Sequence, residues 1–114
     1  MQQEQLRNIF FITTDVHFAG VFRYTPVAND PSFKIYEFVT GPLNAGLFPN
    51  HNFDTTLNTE SLFFYGPDTN PTNYVQAKHW MNFGVAQINE NGELTISIRD
   101  TEGVVVYQTN LQPQ

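Results

Sequence analysis

The chain has 114 residues, with 11 Asp and Glu against 5 Lys and Arg for a net charge of −6, three His and no Cys. That is room for one domain, and within these residues it excludes a disulfide framework, a Cys-based zinc site and a thiolate nucleophile. The basic residues Arg7, Arg23, Lys34, Lys78 and Arg99 are too few and scattered to displace counterions from nucleic acid, and no apolar run approaches the roughly 18–20 residues of a membrane span.

A polar lead, unlike a signal peptide, precedes the run Ile9-Phe10-Phe11-Ile12-Thr13. A continuous β-branched and aromatic run reads as a strand buried on both faces, with neighbours on both edges. Residues 33–40 alternate with period 2: Phe33, Ile35, Glu37 and Val39 face one way, and Lys34, Tyr36, Phe38 and Thr40 the other. That predicts a second strand. Residues 41–73, rich in Pro, Asn and Thr, read as a long loop with isolated apolar clusters such as Ser61-Leu62-Phe63-Phe64-Tyr65. Their aromatics argue for an ordered loop lying over something rather than for disorder. Residues 74–80 are expected to make one or two helical turns. Residues 83–88, 94–99 and 104–110 read as an antiparallel meander whose turns carry Asn91-Gly92 and Glu102-Gly103. In its middle strand Leu94, Ile96 and Ile98 form the buried face. Charged residues are only 14% of the chain and aromatics 15%, against about 25% charged residues in ordinary domains. Part of the surface is therefore expected to meet other protein.

The one constellation with chemical content is Thr13-Thr14-Asp15-Val16-His17, directly after the first strand. Ligands of open α/β sheets gather at the carboxyl ends of strands. If the chain stays near-extended there, Asp15 and His17 fall on one side. A hard carboxylate and an imidazole then aim at one place, as mixed oxygen and nitrogen coordination of a metal requires. Two ligands are too few for a catalytic centre, which commonly takes three or more protein groups. On spacing alone the pattern reads first as a turn, with Asp15 capping it and His17 a partly buried, hydrogen-bonded histidine, and second as half of a metal site. Among other candidates, His51 reads as a solvated loop residue, and His79 with Trp80 and Lys78 as packing and surface on a short helix. Arg23 reads as an ion-pairing residue or an anion-orienting fork. Residues 41–46 lack the Gly-Lys-Ser/Thr ending of a phosphate loop.

The stretches Phe11-Ile12-Thr13-Thr14-Asp15-Val16-His17-Phe18, Glu37-Phe38-Val39-Thr40-Gly41-Pro42-Leu43-Asn44-Ala45-Gly46, Asn82-Phe83-Gly84-Val85 and Gly92-Glu93-Leu94-Thr95-Ile96-Ser97-Ile98-Arg99-Asp100 occur in this order. Together they resemble the C-terminal part of the PhoD-like alkaline phosphatases, in the calcineurin-like metallophosphoesterase superfamily. The resemblance runs from about Asn8 to Gln112. It implies an α/β fold: residues 1–114 as the C-terminal part of a four-layer α/β/β/α sandwich, itself mostly β and ending in the three-stranded antiparallel meander. It implies that Asp15 and His17 are metal ligands, standing where related phosphoesterases have Gly-His-x-His, and that the metals are iron and calcium. It further implies phosphate mono- or diesters as substrates, an exported protein, and a loop after Thr40 near the pocket rim. The family's Cys and its earlier Asp and Asn motifs would lie upstream of Met1. The resemblance thus implies that the N-terminal portion of the same domain is the missing partner and that the 114-residue chain is inactive by itself.

This reading expects residues 9–12 to be exposed and Asp15 and His17 to point together. The alternative is a non-catalytic β-rich binding module descended from such an enzyme, with its first strand covered and a cooperative unfolding transition.

Overall fold

Seven strands and one short helix form in the computed structural model, which describes residues 6–49 and 53–114. The expected first strand forms as β1 (Ile9–Thr13). A strand absent from the sequence reading, β2 (Ala19–Tyr24), follows after a five-residue link. Strand β3 (Ile35–Val39) then inserts between them, parallel to β1 and antiparallel to β2. Strand β4 (Glu60–Tyr65) lies inside the stretch expected to be loop, and pairs antiparallel with β2. The sheet order is β1-β3-β2-β4. Strands β5 (Asn82–Ile88), β6 (Leu94–Asp100) and β7 (Val105–Leu111) form the expected antiparallel meander as a second sheet. Its first turn is closed by the Asn89 and Glu93 backbones, with Gly92 at φ +79° as the Asn-Gly signal requires. The helical turns expected within residues 74–80 form as α1 (Tyr74–Lys78), capped by the Asn73 side chain accepting from the Gln76 N–H at 3.1 Å. No helix among the described residues is long and apolar enough to cross a membrane.

The two sheets pack face to face. Ala19, Val21 and Phe38 from the first meet Leu94, Ile96 and Ile98 from the second, all buried. The alternation expected for residues 33–40 and 94–99 holds: Phe38 enters this core, while Glu37 and Val39 face the opposite side of the first sheet. One side of the sandwich is closed by aromatics, with Phe63 of β4 stacked on Tyr107 of β7 at 4.6 Å and Tyr65 edge-on to Trp80 at 5.1 Å.

The other side is open. There β1 and β5 are both edge strands, and Ile12 shares a small cavity with Gly84, Ala86 and Ile96. Ile12 is 56% exposed, Phe11 46% and Ile88 64%. The expectation of a strand buried on both faces is therefore corrected: among the described residues β1 has a pairing partner on one edge only, β3. The apolar composition of the strand is that of a central strand, but of residues 9–12 only Phe11 and Ile12 are exposed, while Ile9 is half-buried and Phe10 packs against the core.

Candidate functional site

The β1–β2 link, residues 14–18, crosses the carboxyl ends of the parallel strands β1 and β3, because β2 lies on the far side of β3. The Thr40 N–H donates to the Thr13 carbonyl at 3.1 Å, so the segment leaving β3 starts beside this link. Asp15 and His17 sit in it, at φ +76° and +64°. The near-extended chain assumed from the sequence is not what forms. Both residues occupy the left-handed region, which costs a non-glycine residue about 1–2 kcal/mol and is found most where function constrains the backbone.

His17 is half-buried and held on three sides. Its Nδ1 lies 2.6 Å from the Gly46 carbonyl oxygen. A carbonyl only accepts, so Nδ1 is the donor in this bond, and Nε2 is the nitrogen left facing away from the Gly46 carbonyl. The ring stacks on Phe48 at 4.8 Å, and the Phe48 N–H donates to the His17 carbonyl at 3.2 Å. This is the orientation by a backbone carbonyl that metal-ligating histidines commonly have, and it is also the hydrogen-bonded histidine of the turn reading. Asp15 is exposed, and among the described residues its carboxylate accepts no hydrogen bond, so the capping half of the turn reading does not form. The donor set suits a metal that takes oxygen and imidazole. No group of three or more His, Asp or Glu able to hold a metal forms among the described residues, so a metal there needs ligands from elsewhere.

The 41–49 segment that grips His17 is itself fixed by Asn82, which sequence reasoning quoted only as part of a motif. Asn82 is fully buried at the start of β5. Its Oδ1 accepts from the Gly41 N–H at 2.8 Å, and its Nδ2 donates to the carbonyls of Gly41 at 3.1 Å and Trp80 at 3.0 Å. Its backbone N–H donates to the Pro42 carbonyl at 2.9 Å. Gly41 has φ +95° and a built Cβ would come within 3.2 Å of Thr14 Oγ1, so glycine is required there. This arrangement joins three of the stretches singled out in the sequence: the β1–β2 link, the Gly-Pro loop and the start of β5.

On the outer face of the first sheet, Glu37 accepts from Thr13 Oγ1 at 2.8 Å and from the Tyr24 hydroxyl. Burial first, and then the hydrogen bond to Glu37, push the Tyr24 phenol far above its ordinary range. Tyr65 shifts the same way, through burial and then the Asp100 carboxylate. A phenol whose folded pKa exceeds its unfolded value of about 10 contributes stability below that pH, and loses it as pH rises through the folded pKa. An absorbance titration of the folded chain is expected to show a phenol ionising only at unfolding. Tyr24→Phe is expected to reduce the loss of stability above about pH 10; an unchanged alkaline limb would contradict this.

The remaining candidates are ordinary. Arg23 forms an ion pair with Glu60 across β2 and β4. His79 is exposed, edge-on to Trp80 at 5.0 Å. His51 lies outside the described residues. No family model matches the chain, and comparison with curated proteins and with solved structures gives no match.

Proposed function

We propose that the chain is the C-terminal part of a metal-dependent phosphatase of the PhoD-like kind, hydrolysing phosphate mono- or diesters. The observation that carries this reading is the open side of the sandwich. An apolar strand exposes Phe11 and Ile12 at an unpaired edge and leads directly into the strained link holding Asp15 and His17. A self-contained module is expected to cover its first strand, so the exposure favours a chain that continues both sheets with strands from the N-terminal portion of the same domain.

In the whole enzyme, Asp15 supplies a carboxylate oxygen and His17 supplies Nε2, its ring fixed by the Gly46 carbonyl and the Phe48 face. Both are presented at the carboxyl ends of parallel strands, where backbone and side chains are free to meet a ligand. Iron and calcium are the metals the resemblance implies; when bound, such metals polarise phosphoryl oxygens and lower the pKa of water. The exposed Asp15 carboxylate is free to accept in that role. The 41–49 segment holds His17 from the rim. By the same resemblance the enzyme is exported, and the 114-residue chain, lacking the other ligands, does not turn over.

In the whole enzyme, Asp15→Ala and His17→Ala are each expected to lower phosphatase turnover and metal content by about 100-fold or more, since losing even a supporting partner of a ligand costs about 10–100-fold. Asp15→Gly separates chemistry from folding. It relieves an exposed left-handed residue whose carboxylate accepts no hydrogen bond among the described residues, so stability should hold or rise by about 0.5 kcal/mol while activity is lost. Full activity in either alanine variant sinks the reading.

A further inference from the structure

We propose that the groove on the outer face of the first sheet binds an organic ammonium ion with an apolar body. The groove shares Phe11 with the open edge of the phosphatase reading, but its polar group is Glu37 rather than Asp15 or His17, and its test reads binding rather than turnover. The groove has a volume of about 560 Å³ and is floored by Phe11, Phe22, Ile35 and Val39, with Phe53 and Leu57 on its wall. That is the size range of small-molecule sites, which combine apolar walls with a few placed polar groups.

Here the placed polar group is Glu37. Both its oxygens accept from neutral hydroxyls, those of Thr13 and Tyr24, which orient the carboxylate without balancing its charge. Among the described residues the ion pairs are Arg7–Asp30 and Arg23–Glu60, and no Lys, Arg or His of those residues lines the groove. Asp54 adds a second acidic group at the rim. A carboxylate set among aromatic rings, with no cation beside it among the described residues, complements a cation: the ammonium meets the carboxylate and the ring faces, and the apolar body covers the floor. Carboxylates and phosphates are repelled.

Three probes of one shape test this on the 114-residue chain by calorimetric titration: phenethylammonium, 2-phenylethanol and phenylacetate. The ammonium is expected to bind about 10-fold more tightly than the alcohol, the gain of a charge-assisted contact, and phenylacetate most weakly. Glu37→Gln should bring the ammonium down to the alcohol's affinity and leave the alcohol unchanged. Leu57→Lys, at a rim position 48% exposed and so tolerant of change, should weaken the ammonium and strengthen phenylacetate. Equal affinities for the three probes, no binding of the ammonium, or indifference to both substitutions would overturn the proposal. So would binding confined to a Lys-bearing peptide, which would make the occupant a polypeptide.

Discussion

Replacing Asn82 by Ala is expected to destabilise the chain by about 3 kcal/mol. Each hydrogen bond is worth about 1 kcal/mol net, and buried groups left without partners cost about 1–3 kcal/mol. The substitution removes the acceptor of the Gly41 N–H and the donor to the Gly41 and Trp80 carbonyls at a site closed to water. Small domains hold only about 5–15 kcal/mol in total, so the loss is a large share. Asn82→Asp keeps the acceptor but sets a carboxylate against two carbonyls, and is expected to be no better. Urea unfolding of both variants checks this; a midpoint within error of the parent's would contradict it. The functional consequence follows from position. Asn82 ties β5 to the start of the segment whose Gly46 carbonyl orients His17, so its loss should also loosen the imidazole, read as a change in the His17 ring signals before the chain unfolds.

The second large effect is expected in the core between the sheets. Phe38 is completely buried against Ala19, Val21 and Ile98, and Phe→Ala at such sites costs about 3–5 kcal/mol. Ile12→Ser, at the position of the neighbouring strand that pairs with Phe38 and one residue from its end, supplies the contrast. With more than half of its surface exposed in this chain, it should cost less than about 0.5 kcal/mol there, as surface changes do. In the proposed whole enzyme, where further strands would cover β1, the same change should cost about as much as other core truncations, about 2–5 kcal/mol. Equal, small effects in both settings would show that nothing covers the strand.

Local signals carried most of the second sheet. Alternation in residues 94–99 and the Asn-Gly turn define β6 and its hairpin without reference to anything distant. Strands β1 and β3 were legible for the same reason. Strand β2 was not: Ala19-Gly20-Val21-Phe22-Arg23-Tyr24 is short, begins with two small residues and lacks a turn signal before it. Residues 61–65 looked like a stray apolar cluster because only their partner, β2, makes them a strand; tertiary pairing decided both. At the site, the residue types of Asp15 and His17 were readable, and so was their place after a strand. Their backbone was not, since positive φ at two non-glycine residues is imposed by the link's passage over β3. The grip of Gly46 on His17 spans 29 residues, and that of Asn82 on Gly41 spans 41, distances at which sequence pattern carries no signal. Exposure of residues 9–12 was expected from the resemblance, not from any periodicity, and holds for Phe11 and Ile12 but not for Ile9 and Phe10.

Native mass spectrometry of the product captured from its source by an antibody against the meander tests the central claim most directly, because it reads chain mass and bound metal together. The account expects one polypeptide several times heavier than 13.1 kDa, carrying metal that is lost when Asp15 and His17 are replaced. A 13.1 kDa product, or a heavier one whose metal content ignores those two residues, would contradict it.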